Sequence, residues 1–247
     1  MSARTTLTAG QPAMLGLRLQ HAAGWHTYWV NPGDSGLPTR VNWTLPHGFK
    51  TGEIAWPTPQ RFTVDGLANF GYEGDVLLPV LLDVPADARP GSSVRVRASV
   101  KWLACHEECV PGAATLAIDL RVGSATAMSE PDAAFARARS TAPENGVWSS
   151  VARIVGDRIE VEVRGADLGD GERLDAFAEQ PKLIANAPPQ FSLRGGVPVL
   201  AFAKSEYFEA QPKALDLVVA RPHARAIRVH AVFVAADLAR PAPASPN

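Results

Sequence analysis

From residue 94 the sequence VRVRASVKW alternates without a break, setting Val94, Val96, Ala98, Val100 and Trp102 on one side and Arg95, Arg97, Ser99 and Lys101 on the other. A period of two residues is the signature of a half-buried β-strand. The segment 114–122 repeats it, with Leu116, Ile118 and Leu120 facing in and Thr115, Asp119 and Arg121 facing out. These two segments read as neighbouring antiparallel strands, and the pentapeptide CHEEC at 105–109 lies in their connection.

Further strand signals lie at 14–19, 25–30 and 76–84, divided by turn clusters such as NPGDSG at 31–36. In the second half RIEVEVR at 158–164 alternates, as do parts of 197–203, 214–220 and 227–234. Between the halves the pattern changes: SEPD at 129–132 has the Pro and acids of a helix start, and 133–139 is rich in Ala and Arg. The expectation is an all-β chain of two β-sandwich domains joined by a short helical linker. The first domain spans 1–123, the linker 124–145 and the second domain 146–238, and a Pro/Ala-rich tail at 239–247 suits a tether into something further on.

Composition enters through what it excludes. With 46% hydrophobic and 20% charged residues and a formal net charge of −1, the chain builds no field for a phosphate backbone or an anionic membrane surface, so nucleic acid is not an expected partner. No run approaches the roughly 18 apolar residues of a transmembrane helix, so direct membrane insertion of this segment is not expected either. The opening residues do not form a signal peptide, which leaves export open because a mature fragment would lack one. Five of the six tryptophans (Trp25, Trp29, Trp43, Trp56, Trp102) and both cysteines fall in the first half, which is where chemistry is expected.

Cys105 and Cys109, the only cysteines, could form a structural disulfide, a redox pair or part of a metal site. In the chain-entropy model, closing a loop of about five residues stabilises by only about 2 kcal/mol, whereas a bridge across roughly 70 residues would give about 4 to 5. A C-x3-C bridge therefore pins a local turn and does little for a sandwich. In strict alternation Leu103 and Cys105 continue the outward phase of Lys101, which places Cys105 near the surface at a strand end, open to attack by a partner thiolate. A protonated His106 and Lys101 favour a thiolate there, while Glu107 and Glu108 oppose it. As a metal site, Cys105, Cys109 and His106 offer soft ligands suited to Cu(I), with His26 or His47 available for recruitment.

The run GWHTYWVNPGDSGLP at 24–38, then IAWP at 54–57, NFGYEG at 69–74, LLP at 77–79 and WLACHEECVP at 102–111 resemble the periplasmic N-terminal region of the DsbD/ScsB family of thiol:disulfide interchange proteins. With three residues between its cysteines the chain is more similar to the ScsB branch. The resemblance implies immunoglobulin-like sandwiches and a Cys105/Cys109 pair that takes electrons from a transmembrane donor domain and reduces periplasmic thioredoxin-like proteins. It implies no organic cofactor. It also implies that Cys109 is the sulfur attacked by the partner and Cys105 the resolving one, that Asn69, Phe70 and Tyr72 belong to a cap loop, and that Tyr28 lines the site. Gly71 and Gly74 would hinge such a cap; read without the resemblance, Phe70 and Tyr72 are hairpin core residues, and Trp25, His26 and Trp29 are core packing. A copper-handling domain and a binding module with an inert disulfide stand as alternatives.

Overall fold

The structure, a computed structural model, describes residues 1–2, 6–123, 133–169, 171 and 173–235. The helix start read at 129–132 and the tail at 239–247 lie outside these residues. The chain divides into two compact units, Met1–Pro143 and Glu144–Asn247.

In the first unit the strands are β1 (Thr6–Leu7), β2 (Ala13–Gln20), β3 (His26–Gly33), β4 (Arg40–Thr44), β5 (Lys50–Ile54), β6 (Gln60–Val64), β7 (Leu67–Glu73), β8 (Asp75–Asp83), β9 (Ser93–Cys105) and β10 (Cys109–Val122). A seven-stranded sheet runs β1-β10-β9-β3-β7-β6, with β4 also on β9, and a three-stranded sheet runs β2-β8-β5. Leu15 and Leu82 of the small sheet meet Val94, Val96, Leu120 and Val122 of the large one in a single apolar core, which makes the unit a sandwich. The alternation read at 94–102 is the burial pattern of β9, in which Val94, Val96, Ala98 and Val100 are buried between exposed neighbours. On β10 the inward phase also holds, but only Leu120 and Val122 are buried; Leu116 remains 46% exposed.

Strands β5 and β6 carry no clean alternation, and β7 is buried over four consecutive residues. Residues 69–72, which the resemblance implies form a cap loop, lie in this strand, and a strand covered on both faces shows no period of two to announce it. Its hairpin to β6 closes through Asp65 and Gly66, both at positive φ (52° and 80°) between the paired Val64 and Leu67, as a two-residue turn matched to strand twist requires.

The helix, α1 (Ala133–Thr141), packs within the first unit. Phe135 (1% exposed) and Ala138 are buried against Leu77 of β8, and Thr58 donates from both its N–H and its hydroxyl to the Thr141 carbonyl. Burial of such a phenylalanine stabilises by about 1.5 to 3 kcal/mol.

The second unit comprises β11 (Ser149–Val155), β12 (Arg158–Arg164), β13 (Asp175–Ala178), β14 (Gln190–Arg194), β15 (Val197–Ala203), β16 (Ala214–Arg221) and β17 (Ala224–Phe233). They form one seven-stranded sheet, ordered β13-β16-β17-β11-β12-β15-β14. Ala176 and Ala178 from one end of that sheet share a core with Leu200 and Phe191 near the other, so the sheet folds over on itself. The chain is therefore all-β with a single short helix among the described residues, as the alternation requires.

Candidate functional site

Cys105 ends β9 and Cys109 opens β10, and the two are direct cross-strand partners joined by a disulfide with a Cα–Cα distance of 4.1 Å. Their exposures differ sharply. Cys105 is 2% exposed, whereas Cys109 is open to solvent. The expectation that Cys105 lies near the surface is therefore corrected. β4 pairs with the middle of β9, from Lys101 back to Arg97, but at the end of the strand β3 takes its place, opposing Thr27 to Ala104 and His26 to Cys105. That exchange of neighbours brings His26 and Tyr28 over the face that is open further back, so strict alternation continues while the buried side changes.

Tyr28 makes the closest contact. Its hydroxyl donates to Cys105 Sγ at 3.0 Å and lies 3.9 Å from Cys109 Sγ. The ring is 2% exposed, and burial raises its pKa, so the hydroxyl keeps its proton and remains a donor. Gly36 lies beneath the ring at φ 95°; a Cβ there would come within 2.2 Å of the Tyr28 ring. Only glycine can supply both that backbone conformation and that space.

The NPGDSG segment, which reads by default as a turn, anchors this arrangement. Asn31 Oδ1 accepts from the Gly33 N–H at 3.1 Å, and Gly33 (φ 90°) packs so closely that a Cβ would lie 2.3 Å from the Ala68 carbonyl oxygen. The Asp34 N–H donates to that carbonyl at 2.8 Å while its carboxylate accepts the Ala68 N–H at 2.7 Å. Ser35 donates through its N–H (3.1 Å) and its hydroxyl (2.8 Å) to Asn69 Oδ1. Asn69 is thus a buried clamp for the segment that holds Tyr28.

Phe70 and Tyr72 lie in β7, 1% and 5% exposed. The Arg61 guanidinium sits 4.8 Å from the Phe70 ring centroid, and Tyr72 donates to the Pro57 carbonyl at 2.8 Å while stacking on Trp56. Burial holds the Tyr72 hydroxyl well above its usual pKa. Gly71, expected as a hinge, is instead a point of close backbone packing: a Cβ would lie 1.9 Å from the Thr27 carbonyl oxygen. Gly74 does turn the chain, at φ 66°.

His26 is 3% exposed, stacked on Phe62 at 4.9 Å with its ring edge-on to Tyr28 at 5.3 Å. Burial lowers its pKa, opposed by the Glu73 carboxylate and reinforced by His21 and His106, and its Nε2 finds no hydrogen-bond partner among the described residues. His106 is exposed and lies against Gly24, where a Cβ would meet its ring at 2.6 Å, and it stacks with Trp25 at 6.1 Å. Among the described residues no three His, Cys, Asp or Glu side chains group as metal ligands. The parts that escaped sequence reading are Gly36, Asp34 and Ser35, whose signal was the density of turn formers directly after an aromatic run. Phe62 carried no signal.

Residues 2–120 match the family model described as thiol:disulfide interchange protein DsbD, N-terminal. Among solved structures, the N-terminal periplasmic domain of ScsB from Proteus mirabilis superimposes with a TM-score of 0.66 at 20% identity, over 92% of this chain and 90% of that one, which supports the fold. A protein of unknown function from Porphyromonas gingivalis W83 covers 92% of this chain and 93% of its own at 13% identity, with a TM-score of only 0.25. No curated protein sequence matches the chain.

Proposed function

Because the N-terminal half of this chain belongs to the DsbD N-terminal family of thiol:disulfide interchange proteins, we propose that it is a periplasmic relay module whose Cys105/Cys109 pair takes electrons from a membrane-embedded donor domain and passes them to thioredoxin-like proteins. The observation that carries this reading is the asymmetry of the disulfide. Cys109 is exposed, and Cys105 is buried with a tyrosine hydroxyl 3.0 Å from its sulfur.

In the loading step a donor thiolate attacks Cys109 Sγ, the Cys105–Cys109 bond breaks, and Cys105 leaves as a thiolate. The Tyr28 hydroxyl already donates to that sulfur and strengthens its bond as charge develops, because a hydrogen bond to an ionised acceptor is roughly twice as strong as a neutral one. The donor's second thiolate then attacks its own sulfur in the mixed disulfide, releasing Cys109 and leaving the donor oxidised and the pair reduced. Unloading runs these steps in reverse on an acceptor disulfide. His26, kept neutral by burial, adds no charge beneath the pair. Tyr28, Asn69, Phe70 and Tyr72 act here as a packed shield that keeps small oxidants from Cys105. The Cu(I) alternative needs Cys105 as a ligand together with His106, whose ring lies against Gly24 and Trp25; the burial of Cys105 favours exchange.

Equilibration against glutathione tests the proposal. An exchanging pair has a potential above about −300 mV and is reduced by a thioredoxin-like dithiol, whereas a value below that, with no reaction, identifies an inert bridge.

A further inference from the structure

We propose that the thiol partner docks by adding an extended, antiparallel segment to the outer edge of β10, with its reactive cysteine opposite Cys109; this rests on the exchange reading above. The β9–β10 register runs unbroken from Cys105 and Cys109 to Ser93 and Arg121. The Cα–Cα distance of 4.1 Å at the cysteines marks a non-hydrogen-bonded pair, since such pairs sit at about 4.5 Å and hydrogen-bonded ones at about 5.5 Å. Odd-numbered residues of β10 therefore turn their N–H and C=O groups away from β9. The far end of the strand agrees: the Val122 N–H donates inward to the Ser92 carbonyl, and the Gly123 N–H donates outward to Leu7.

β1 covers this edge only at Arg121 and Val122. Among the described residues, the outward backbone groups of Cys109, Ala113, Thr115 and Ala117 have no partner. Proteins protect such edges with charge, proline or a bulge. Here the run CVPGAATLAI at 109–118 has no charge and no bulge, and Pro111 is its one blunting residue. Val110 (50%) and Leu116 (46%) are exposed apolar side chains on the same strand.

An occupant is selected by the sulfur at the start of this edge. A residue paired opposite Cys109 from outside would form a hydrogen-bonded pair, with its Cα about 5.5 Å away, inside the 4.4 to 6.8 Å range of disulfides. Cys105 lies across the ladder on the other side, so the line from Cys105 through Cys109 leaves the sheet over the same outer edge, and an in-line thiolate approaches from there. The new bond joins the partner sulfur to Cys109 Sγ, the Cys105–Cys109 bond breaks, and Cys105 departs as the thiolate. Strand addition thus supplies both affinity and the aim of the attack.

The test uses the oxidised full chain with reduced thioredoxin as the protein thiol and dithiothreitol as the small one. Ala113→Pro with Thr115→Pro removes outward N–H groups only, a position where an edge strand tolerates proline. The double variant is expected to react with thioredoxin roughly tenfold more slowly, the effect of losing two net hydrogen bonds, while its rate with dithiothreitol stays at the wild-type value. Equal thioredoxin rates for variant and wild type overturn the proposal. A wild-type chain that reacts with dithiothreitol but not thioredoxin instead overturns the exchange reading, and this proposal with it. A second measurement does not depend on the proline variant folding: amide hydrogen exchange in the mixed disulfide between the Cys105→Ala chain and single-cysteine thioredoxin. Newly slowed exchange at Ala113, Thr115 and Ala117 is expected. Fast exchange there, or protection that appears in the free chain as its concentration rises, shows an empty edge or a second copy on it and overturns the proposal.

Discussion

The two units are built from the same material, antiparallel strands around an aliphatic core, yet they treat buried polar groups differently. In the second unit Glu162 is the one charged or polar residue in the buried class among the described residues, and it is met by Arg153 at 2.8 Å and Arg164 at 2.9 Å. In the first unit His26, Thr27, Asn31, Thr39 and Asn69 are all buried, and His26 Nε2 and Thr39 Oγ1 have no hydrogen-bond partner among the described residues. Four of those five lie on β3 or β7, the strands that carry or clamp Tyr28. A domain that only had to fold would not retain such groups, since each unpaired one costs about 1 to 3 kcal/mol. The first unit departs from the rules of stable packing where its disulfide sits, whereas in the second the one buried charge among the described residues is paired.

That contrast is broken most severely at glycine. Gly71→Ala places a Cβ 1.9 Å from the Thr27 carbonyl and is expected to destabilise the first unit by roughly 3 to 5 kcal/mol in urea unfolding. Gly195→Ala in the second unit, at φ 60° with nothing within 4 Å, should cost only about 1 to 2 kcal/mol. Leu217→Ala, in the second core, should cost about 2 to 5 kcal/mol while leaving the exchange rate of the Cys105/Cys109 pair unchanged. A slowed exchange would refute the separation of roles.

Tyr28→Phe sharpens the comparison from the other side. It keeps the ring and removes the donor to Cys105, and should slow thiol exchange roughly tenfold or more, in line with a hydrogen bond to a charged acceptor. The smallest effect is the pH dependence from His26. Its folded pKa is depressed, so the unfolded chain binds more protons near and below the ordinary value of 6.5, and stability rises with pH. The contribution is fully present above about 6.5 and is lost as pH falls towards the lowered folded value. Urea midpoints between these limits should fall as the pH is lowered in the wild type and flatten in His26→Gln.

The strand at 94–102 was legible because one face meets the core and the other meets water, and that at 158–164 because its apolar residues meet the core while its other face carries charges, Glu162 among them buried but paired with arginines; both write a period of two into the sequence. β7 was not, because both its faces are covered and its glycine serves close packing. The cysteine pair was legible as a pair, but its polarity was not. Alternation places Cys105 on the correct face; it cannot say that β3 arrives to cover that face at the last residue of the strand. The anchoring by Asp34 and Ser35 rests on contacts with Ala68 and Asn69, 34 residues away, and such long-range pairings leave no local pattern.

The central claim is that the disulfide has an exposed, exchanging sulfur on Cys109 and a sealed, resolving one on Cys105. Its most direct test compares the reduced Cys105→Ala and Cys109→Ala chains in their rate of mixed-disulfide formation with oxidised glutathione, followed by intact mass. The chain retaining Cys109 is expected to react at least roughly tenfold faster, because reactivity follows access as well as thiolate fraction. Equal rates, or a faster reaction at Cys105, would contradict the account.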